Sequence, residues 1–136
     1  MLDITMGFLN AVITVSDVEY CEFEDNHSTP KEREVYEGLS IFDCEEKTLK
    51  KVEKIISEFD QMKADNEDLF DVYFCEESLG TELALYLSGH GISFSCRYDK
   101  PLGTELDKIA EKLLKKYRFE GFVEVDVDTE KFSIHI

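Results

Sequence analysis

The chain has 136 residues, the length of a single domain spanning 1–136, and 43% of them are apolar, including ten Phe and six Tyr. This content can form a hydrophobic core and excludes a disordered acidic tail, which would contain few aromatic residues. The 31 acidic and 15 basic residues give a net charge of −16. That charge disfavours direct binding to nucleic acid or to an anionic membrane, because both require Lys and Arg.

Residues 8–24, FLNAVITVSDVEYCEFE, are rich in β-branched and aromatic side chains. This composition favours two strands, joined near Ser16 and Asp17. The acidic residues of the segment have no Lys or Arg near them in the sequence, so we regard them as candidates for binding a positively charged partner: Asp17, Glu19, Glu22 and Glu24.

The segment after Asp43 predicts the first long helix. Asp43 can cap this helix, since Glu46 follows at the spacing of a capping box. We expect the helix to end near residues 64–66. Its apolar residues recur at helical spacing and form one stripe: Leu49, Val52, Ile56 and Phe59.

Three strands are predicted between this helix and the next. LFDVYFCEE at 69–77 is one, and it ends in two further candidate binding residues, Glu76 and Glu77. TELALYLS and ISFSCRYD favour a hairpin across residues 89–91, where glycines permit positive φ angles. The string LGTEL occurs at 79–83 and at 102–106, but different patterns follow the two copies, so we interpret it as coincidence rather than as an internal repeat.

A second helix is predicted from Thr104, which can act as its cap, to a glycine at Gly121, which suits the position just past its end. The length of this helix and the spacing of its apolar residues match those of a surface helix with one buried face. The apolar stripe consists of Leu106, Ile109, Leu113 and Tyr117.

The C-terminal segments FVEVDVD and KFSIHI predict a hairpin that turns around residues 129–130. Successive side chains of a strand point to opposite faces, so the alternating valines should face the core. These are Val123, Val125 and Val127. A row of carboxylates should then face away from the core and bind the partner, together with the acid of the turn: Glu124, Asp126, Asp128 and Glu130.

Taken together, these elements predict an α+β fold, in which two main amphipathic helices pack on a mostly antiparallel sheet of six or seven strands. The charges segregate between the elements, since ten of the fifteen basic residues fall in the two helices. Residues 1–30, 64–96 and 119–130 contain six, seven and five acids and no base. A merely solubilising charge would be spread evenly, so this segregation favours an acidic face.

No catalytic, metal or cofactor motif is recognisable. The four cysteines lack the close pairs of a zinc site, and the three histidines, His27, His90 and His135, have no ligand spacing. Phosphate-binding and nucleophile-elbow motifs are missing as well. The chain begins without a signal-peptide pattern and contains no membrane-length apolar run, which predicts a soluble, cytoplasmic protein whose cysteines are reduced.

The sequence therefore predicts a non-enzymatic acidic protein that binds and inhibits a basic protein, most naturally a nucleic-acid-binding protein or a nuclease, by mimicking nucleic acid. Small phage and plasmid proteins that block host defence, such as anti-CRISPR and antirestriction proteins, belong to this class, as do the immunity proteins of toxin nucleases. Two alternatives stay open. One is a small enzyme or ligand-binding domain whose site assembles only in the fold. The other is an assembly subunit that pairs through an edge strand such as KFSIHI. The oligomeric state is not predicted.

Overall fold

The structure, a computed structural model, describes residues 1–27, 34–35, 37–91, 93–119 and 123–136, with side chains described for 1–15 and from 34 onwards in these ranges. It is mostly helical. The longer elements of the described residues are α1 (Asp3–His27), α2 (Glu46–Ala64), α3 (Glu76–Ser88), α4 (Leu102–Tyr117), β1 (Val123–Asp126) and β2 (Lys131–Ile134). Two short 3-10 helices, Ile41–Asp43 and Phe94–Cys96, precede α2 and α4.

The predicted sheet of six or seven strands is wrong, because the described residues contain a single sheet of two strands. Residues 8–24, interpreted as two strands, lie within α1. The β-branched and aromatic residues that suggested strands also satisfy a helical pattern, since Phe8 and Val12 continue the face of Ile4 at intervals of four and all three are buried. Packing against the rest of the protein outweighs the weak intrinsic preference of such residues for strands.

The predicted strand at 69–77 and the hairpin across residues 89–91 are also wrong. Residues 65–75 form a connection, and TELALYLS lies in α3, where Leu79, Leu83 and Leu87 follow one another at intervals of four and are fully buried. Gly89 does adopt a positive φ of 78°, but it does so as the C-cap of α3 rather than in a hairpin turn. The segment ISFSCRYD contains the second 3-10 helix instead of a strand.

Glycines allow α1 and α3 to meet backbone to backbone. A Cβ at Gly7 would lie 2.7 Å from the carbonyl carbon of Glu77, and one at Gly80 would lie 2.8 Å from that of Ile4. The Thr81 hydroxyl crosses the same contact and donates to the Gly7 carbonyl oxygen at 3.1 Å. This direct backbone contact, which we call the α1–α3 seam, is therefore specified by residues that lack a side chain.

The two copies of LGTEL are both helical, contrary to the different patterns inferred for them. The first lies in α3 and the second begins α4. In each copy the glycine packs against backbone from another part of the chain, since a Cβ at Gly103 would lie 2.8 Å from the Cα of Ser95. The repeated string thus marks two helices with a close approach at the same position.

Both predicted long helices are confirmed. Val52, Ile56 and Phe59 of α2 are buried, as are the corresponding stripe residues Leu106, Ile109 and Leu113 of α4. Their predicted caps are wrong: Thr104 lies inside α4, and Asp43 forms a capping box with Ser40 at the first 3-10 helix. Gly121 lies outside the described residues.

The terminal hairpin is confirmed as well, and it packs beside the start of α2. The Ile134 N–H donates to the Thr48 hydroxyl at 3.3 Å, and the Glu45 N–H donates to the Phe132 carbonyl oxygen at 2.9 Å. Phe132 and Val123 belong to the same core as the buried faces of the helices. The hairpin is therefore held to the N-terminal part of α2.

Candidate functional site

The hairpin presents its acidic residues to solvent as the alternation predicts. β1 and β2 pair with Val123 opposite Ile134 and with Asp126 opposite Lys131. Val123 is buried, Val125 is partly buried, and Glu124 is exposed like Asp126. Over the length of β1, the predicted carboxylates therefore lie on the solvent-exposed face of the hairpin.

This row nevertheless has basic neighbours that the order of residues in the sequence does not reveal. The Nε2 atom of His135 lies 2.7 Å from Oε1 of Glu124, an ion pair whenever His135 is protonated. Lys131 is the cross-strand neighbour of Asp126. Strand pairing places Lys131 opposite Asp126 and brings His135 to Glu124 just beyond the end of β2, so at least one positive charge lies beside the hairpin acids.

Asp126 also has a structural role in the turn. Its Oδ1 atom accepts the N–H of Asp128 at 2.9 Å and the N–H of Thr129 at 3.3 Å, as expected of an aspartate that stabilises a tight turn. Glu130 follows with a φ of 57°. Asp128 and Glu130 are exposed, and the hydrogen bonds of the turn do not use their carboxylates as acceptors.

The acids predicted on the N-terminal strands lie on α1. Asp17, Glu19, Glu22 and Glu24 are helical residues, so the expected strand geometry does not apply to them. Their side chains lie outside the described residues. Their part in partner binding stays a prediction.

A second acidic surface spans the connection between α2 and α3 and the first two residues of α3. We call residues 65–77 the acidic loop; it contains six acids and no Lys, Arg or His. Within the described part of the chain, none of these acids forms an ion pair. All six are exposed: Asp65, Glu67, Asp68, Asp71, Glu76 and Glu77.

The acidic loop is anchored by aromatic residues. Phe74 is buried, and its ring centroid lies 6.5 Å from that of Phe70 and 6.0 Å from that of Tyr98. Lys63 lies beneath the loop with its Nζ atom 5.1 Å from the Phe74 ring and 3.5 Å from Oδ1 of Asp60. The Lys63 side chain is only 13% exposed, so this cation supports the base of the loop and leaves the outer carboxylates unneutralised.

One end of the loop faces basic residues of α4. Asp65 lines an open groove of about 350 Å³ together with Lys108, Lys112 and Lys115. Lys108 is itself paired with Glu105 at 2.9 Å. The lysines of the second helix thus lie close to Asp65, and the more negative part of the loop runs from Glu67 to Glu77.

The hairpin and the acidic loop are attached near opposite ends of α2. The hairpin contacts Thr48, and the loop packs on Lys63, 15 residues further along the helix. At 1.5 Å per residue, these two attachment points are separated by about 22 Å along the helix axis. The structure therefore gives two acidic surfaces where the sequence favoured one face.

A cleft of about 280 Å³ opens at the start of α3, and its lining includes Cys75, Ser78, Glu82 and Arg97. The Ser78 hydroxyl donates to the Cys75 sulfur at 3.3 Å and is the main cause of the lowered pKa of this exposed thiol. Burial raises the pKa of Glu82, against the opposing effects of the Tyr98 hydroxyl and Arg97. Among the residues that line the cleft, no histidine accompanies this thiol and carboxyl group.

Sequence reasoning placed Glu76 and Glu77 on a strand, whereas they begin α3, where carboxylates interact favourably with the positive end of the helix dipole. It did not single out Asp65, Glu67, Asp68 or Asp71. The signal was present in the base-free interval 64–96 and in the run ADNED, whose Asn and Asp residues favour turns.

Comparison with known protein families, characterised proteins and solved structures gives no match to this chain. The described residues contain no group of three or more His, Cys, Asp or Glu side chains arranged to hold a metal ion. Over the same residues, no helix combines the length and the apolar character needed to cross a bilayer.

Proposed function

We propose that this protein binds and inhibits a basic nucleic-acid-binding protein, such as a nuclease, by placing carboxylates at the positions where that partner binds the phosphates of nucleic acid. The observation that carries the proposal is the acidic loop, whose five outer carboxylates from Glu67 to Glu77 are exposed and form no ion pair within the described residues. The exposed hairpin acids Asp128 and Glu130 provide a second, smaller contribution.

The physical basis is electrostatic. A nucleic-acid channel is lined with Lys and Arg, and a net charge of −16 attracts such a surface over a distance limited by salt screening. Complementary charges raise the association rate and favour the correct orientation more than they raise affinity. Once bound, the carboxylates occupy the positions of phosphate groups and exclude the nucleic acid, so inhibition needs no chemical step.

The structure offers less support to an assembly subunit that pairs through KFSIHI. β2 pairs with β1 on one side, and Phe132 bridges Cys44 on the other. Part of the backbone of this strand is therefore already engaged on both sides, which leaves a short edge for another chain.

The proposal is tested with a panel of purified basic nucleases, each titrated with this protein by calorimetry at about 50 mM and about 200 mM salt. We expect at least one nuclease to bind, to lose affinity steeply at the higher salt and to be displaced from its nucleic acid. The control is a basic protein that has a net charge similar to that of the nucleases but does not bind nucleic acid. It tests whether charge attraction alone accounts for the binding.

Two neutralised variants then locate the surface. The loop variant combines Glu67→Gln, Asp68→Asn and Asp71→Asn, and the hairpin variant combines Asp128→Asn with Glu130→Gln while retaining Asp126 for the turn. We expect the loop variant to lose most of the affinity and the hairpin variant to lose less. If no nuclease binds in a salt-dependent way, or if both variants bind like the unchanged protein, the proposed function is wrong.

A further inference from the structure

We propose that Tyr73 is the anchor by which the acidic loop binds an arginine-rich surface of the partner, with the Tyr73 ring stacked against an arginine side chain. This inference rests on the proposed function and specifies the chemistry of the partner.

Tyr73 is exposed to an unusual degree. Its side chain is 94% accessible, and the neighbouring Val72 is 52% accessible. Among the described residues, the other large apolar side chains that are at least half exposed are Met1, Leu2 and Phe42. An adjacent pair of exposed apolar residues thus lies within the same loop as the free carboxylates.

The residues on either side of this pair fix its position. Phe74 is buried and Phe70 is partly buried, so the chain is attached to the core immediately after Tyr73 and three residues before it. The N–H groups of Leu69 and Phe70 both donate to the Asn66 carbonyl oxygen, at 3.0 and 3.2 Å. A tyrosine with two side-chain torsions on an anchored loop loses little conformational entropy on binding, which is one reason why tyrosine is frequent at the centres of interfaces.

The surrounding charges determine the kind of partner. Asp71 precedes the exposed pair, Glu76 and Glu77 follow it, and none of them has a cation partner among the described residues. Arginine can bind a carboxylate through two hydrogen bonds and can stack its planar group on an aromatic ring, whereas lysine acts as a compact point charge. An exposed ring with carboxylates two residues before it and three and four residues after it along the chain therefore favours arginine over lysine.

The test uses two fluorescent peptides of equal length and charge, in which either Arg or Lys alternates with Gly and Ser. Dissociation constants are measured by anisotropy for the full chain and for its variants at low salt. We expect Tyr73→Ala to weaken binding of the Arg peptide about fivefold, the size of a single cation–π contact, while binding of the Lys peptide hardly changes. Tyr73→Phe keeps the ring and should keep the preference for Arg.

Phe42→Ala is the matched control, because Phe42 is an aromatic residue that is 73% exposed outside the acidic loop. It should leave both dissociation constants unchanged. If Tyr73→Ala weakens binding of both peptides equally or of neither, Tyr73 is not the anchor and this proposal fails, while the proposed function is decided separately by the nuclease titrations. If the loop variant binds both peptides like the unchanged protein, the acidic loop is not the binding surface and this proposal fails; the proposed function fails with it if the hairpin variant is also unaffected.

Discussion

Replacing Gly80 with alanine tests the α1–α3 seam. In an ordinary helix interior, Gly→Ala stabilises a protein by about 1 kcal/mol, because glycine loses more backbone entropy on folding. At Gly80, however, the new Cβ would lie 2.8 Å from the carbonyl carbon of Ile4 and closer still to its oxygen. Carbon atoms in contact prefer about 3.5 Å, so the helices must separate by at least 3.5 − 2.8 = 0.7 Å.

A gap of this size removes a quarter to a half of the dispersion energy of each contact that it opens. The affected side chains include Phe8, Leu79 and Leu83, which are all fully buried. Overpacking of a core usually costs about 1–3 kcal/mol, and here the obstacle is backbone, which cannot change rotamer. The cost should therefore lie at the upper end of that range, and about 3 kcal/mol less the gain of about 1 kcal/mol in helix propensity gives an expected loss of about 2 kcal/mol in the free energy of unfolding of Gly80→Ala.

The assay is urea unfolding followed by circular dichroism, in which a loss of this size lowers the midpoint by about 1 M if the slope is near 2 kcal/mol/M. Gly38→Ala is the control, because a Cβ there would meet no atom closer than 3.6 Å. It should leave the midpoint unchanged or raise it. A Gly80→Ala protein as stable as the unchanged chain would show that α1 and α3 do not meet as closely as described.

Three further predictions concern individual groups. Ser78→Ala should raise the pKa of Cys75 and slow its alkylation by iodoacetamide near neutral pH, as followed by mass spectrometry. In the unchanged protein, Cys44 should react more slowly than Cys75, because burial raises the pKa of Cys44 to about 11. Equal rates for the two thiols would contradict this. Because the pKa of Glu82 is raised above its ordinary 4.5, the stabilisation from its protonated form is complete below that pH and is lost as pH rises through the folded-state pKa. The unfolding free energy of Glu82→Gln relative to the unchanged protein should therefore increase from acidic to neutral pH in urea titrations, and a constant difference would argue against a buried carboxyl group. Asp107 accepts the N–H groups of Phe94 and Ser95 at 2.6 and 3.1 Å, so Asp107→Ala should cost about 1–2 kcal/mol in thermal unfolding and Asp107→Asn, which keeps one oxygen, should cost less.

The parts of the fold that could be predicted from sequence are those where one periodicity excludes the other. The stripes of α2 and α4 fit only a helix, and the alternation of Val123, Glu124 and Val125 fits only a strand. Residues 8–24 and 81–88 fit both patterns, because their apolar residues recur at intervals of two as well as at intervals of three or four. There, contact with a second helix through Gly7 and Gly80 decides the outcome, and such a contact between distant residues leaves little trace in local composition.

The acidic surfaces were only partly predictable for a related reason. The hairpin row followed from local alternation, but the basic residues His135 and Lys131 reach it through strand pairing. The sequence shows the acidic loop as an interval without basic residues. Predicting it as an exposed surface also requires the knowledge that residues 65–75 connect two helices rather than form a strand. The exposure of Tyr73 between the anchors Phe70 and Phe74 has no local signature, since all three are aromatic.

The α1–α3 seam joins groups that are 74 positions apart in the chain, as the hydrogen bond from Thr81 to Gly7 shows. A ribosome that adds about 5–20 residues per second releases the first of these helices roughly 4–15 s before the surface that covers it. During this interval Phe8 and Val12 have no α3 to pack against, although both are buried in the folded protein. During its synthesis, the chain therefore exposes the apolar face of α1 for a time in which chaperones or other nascent chains can bind it.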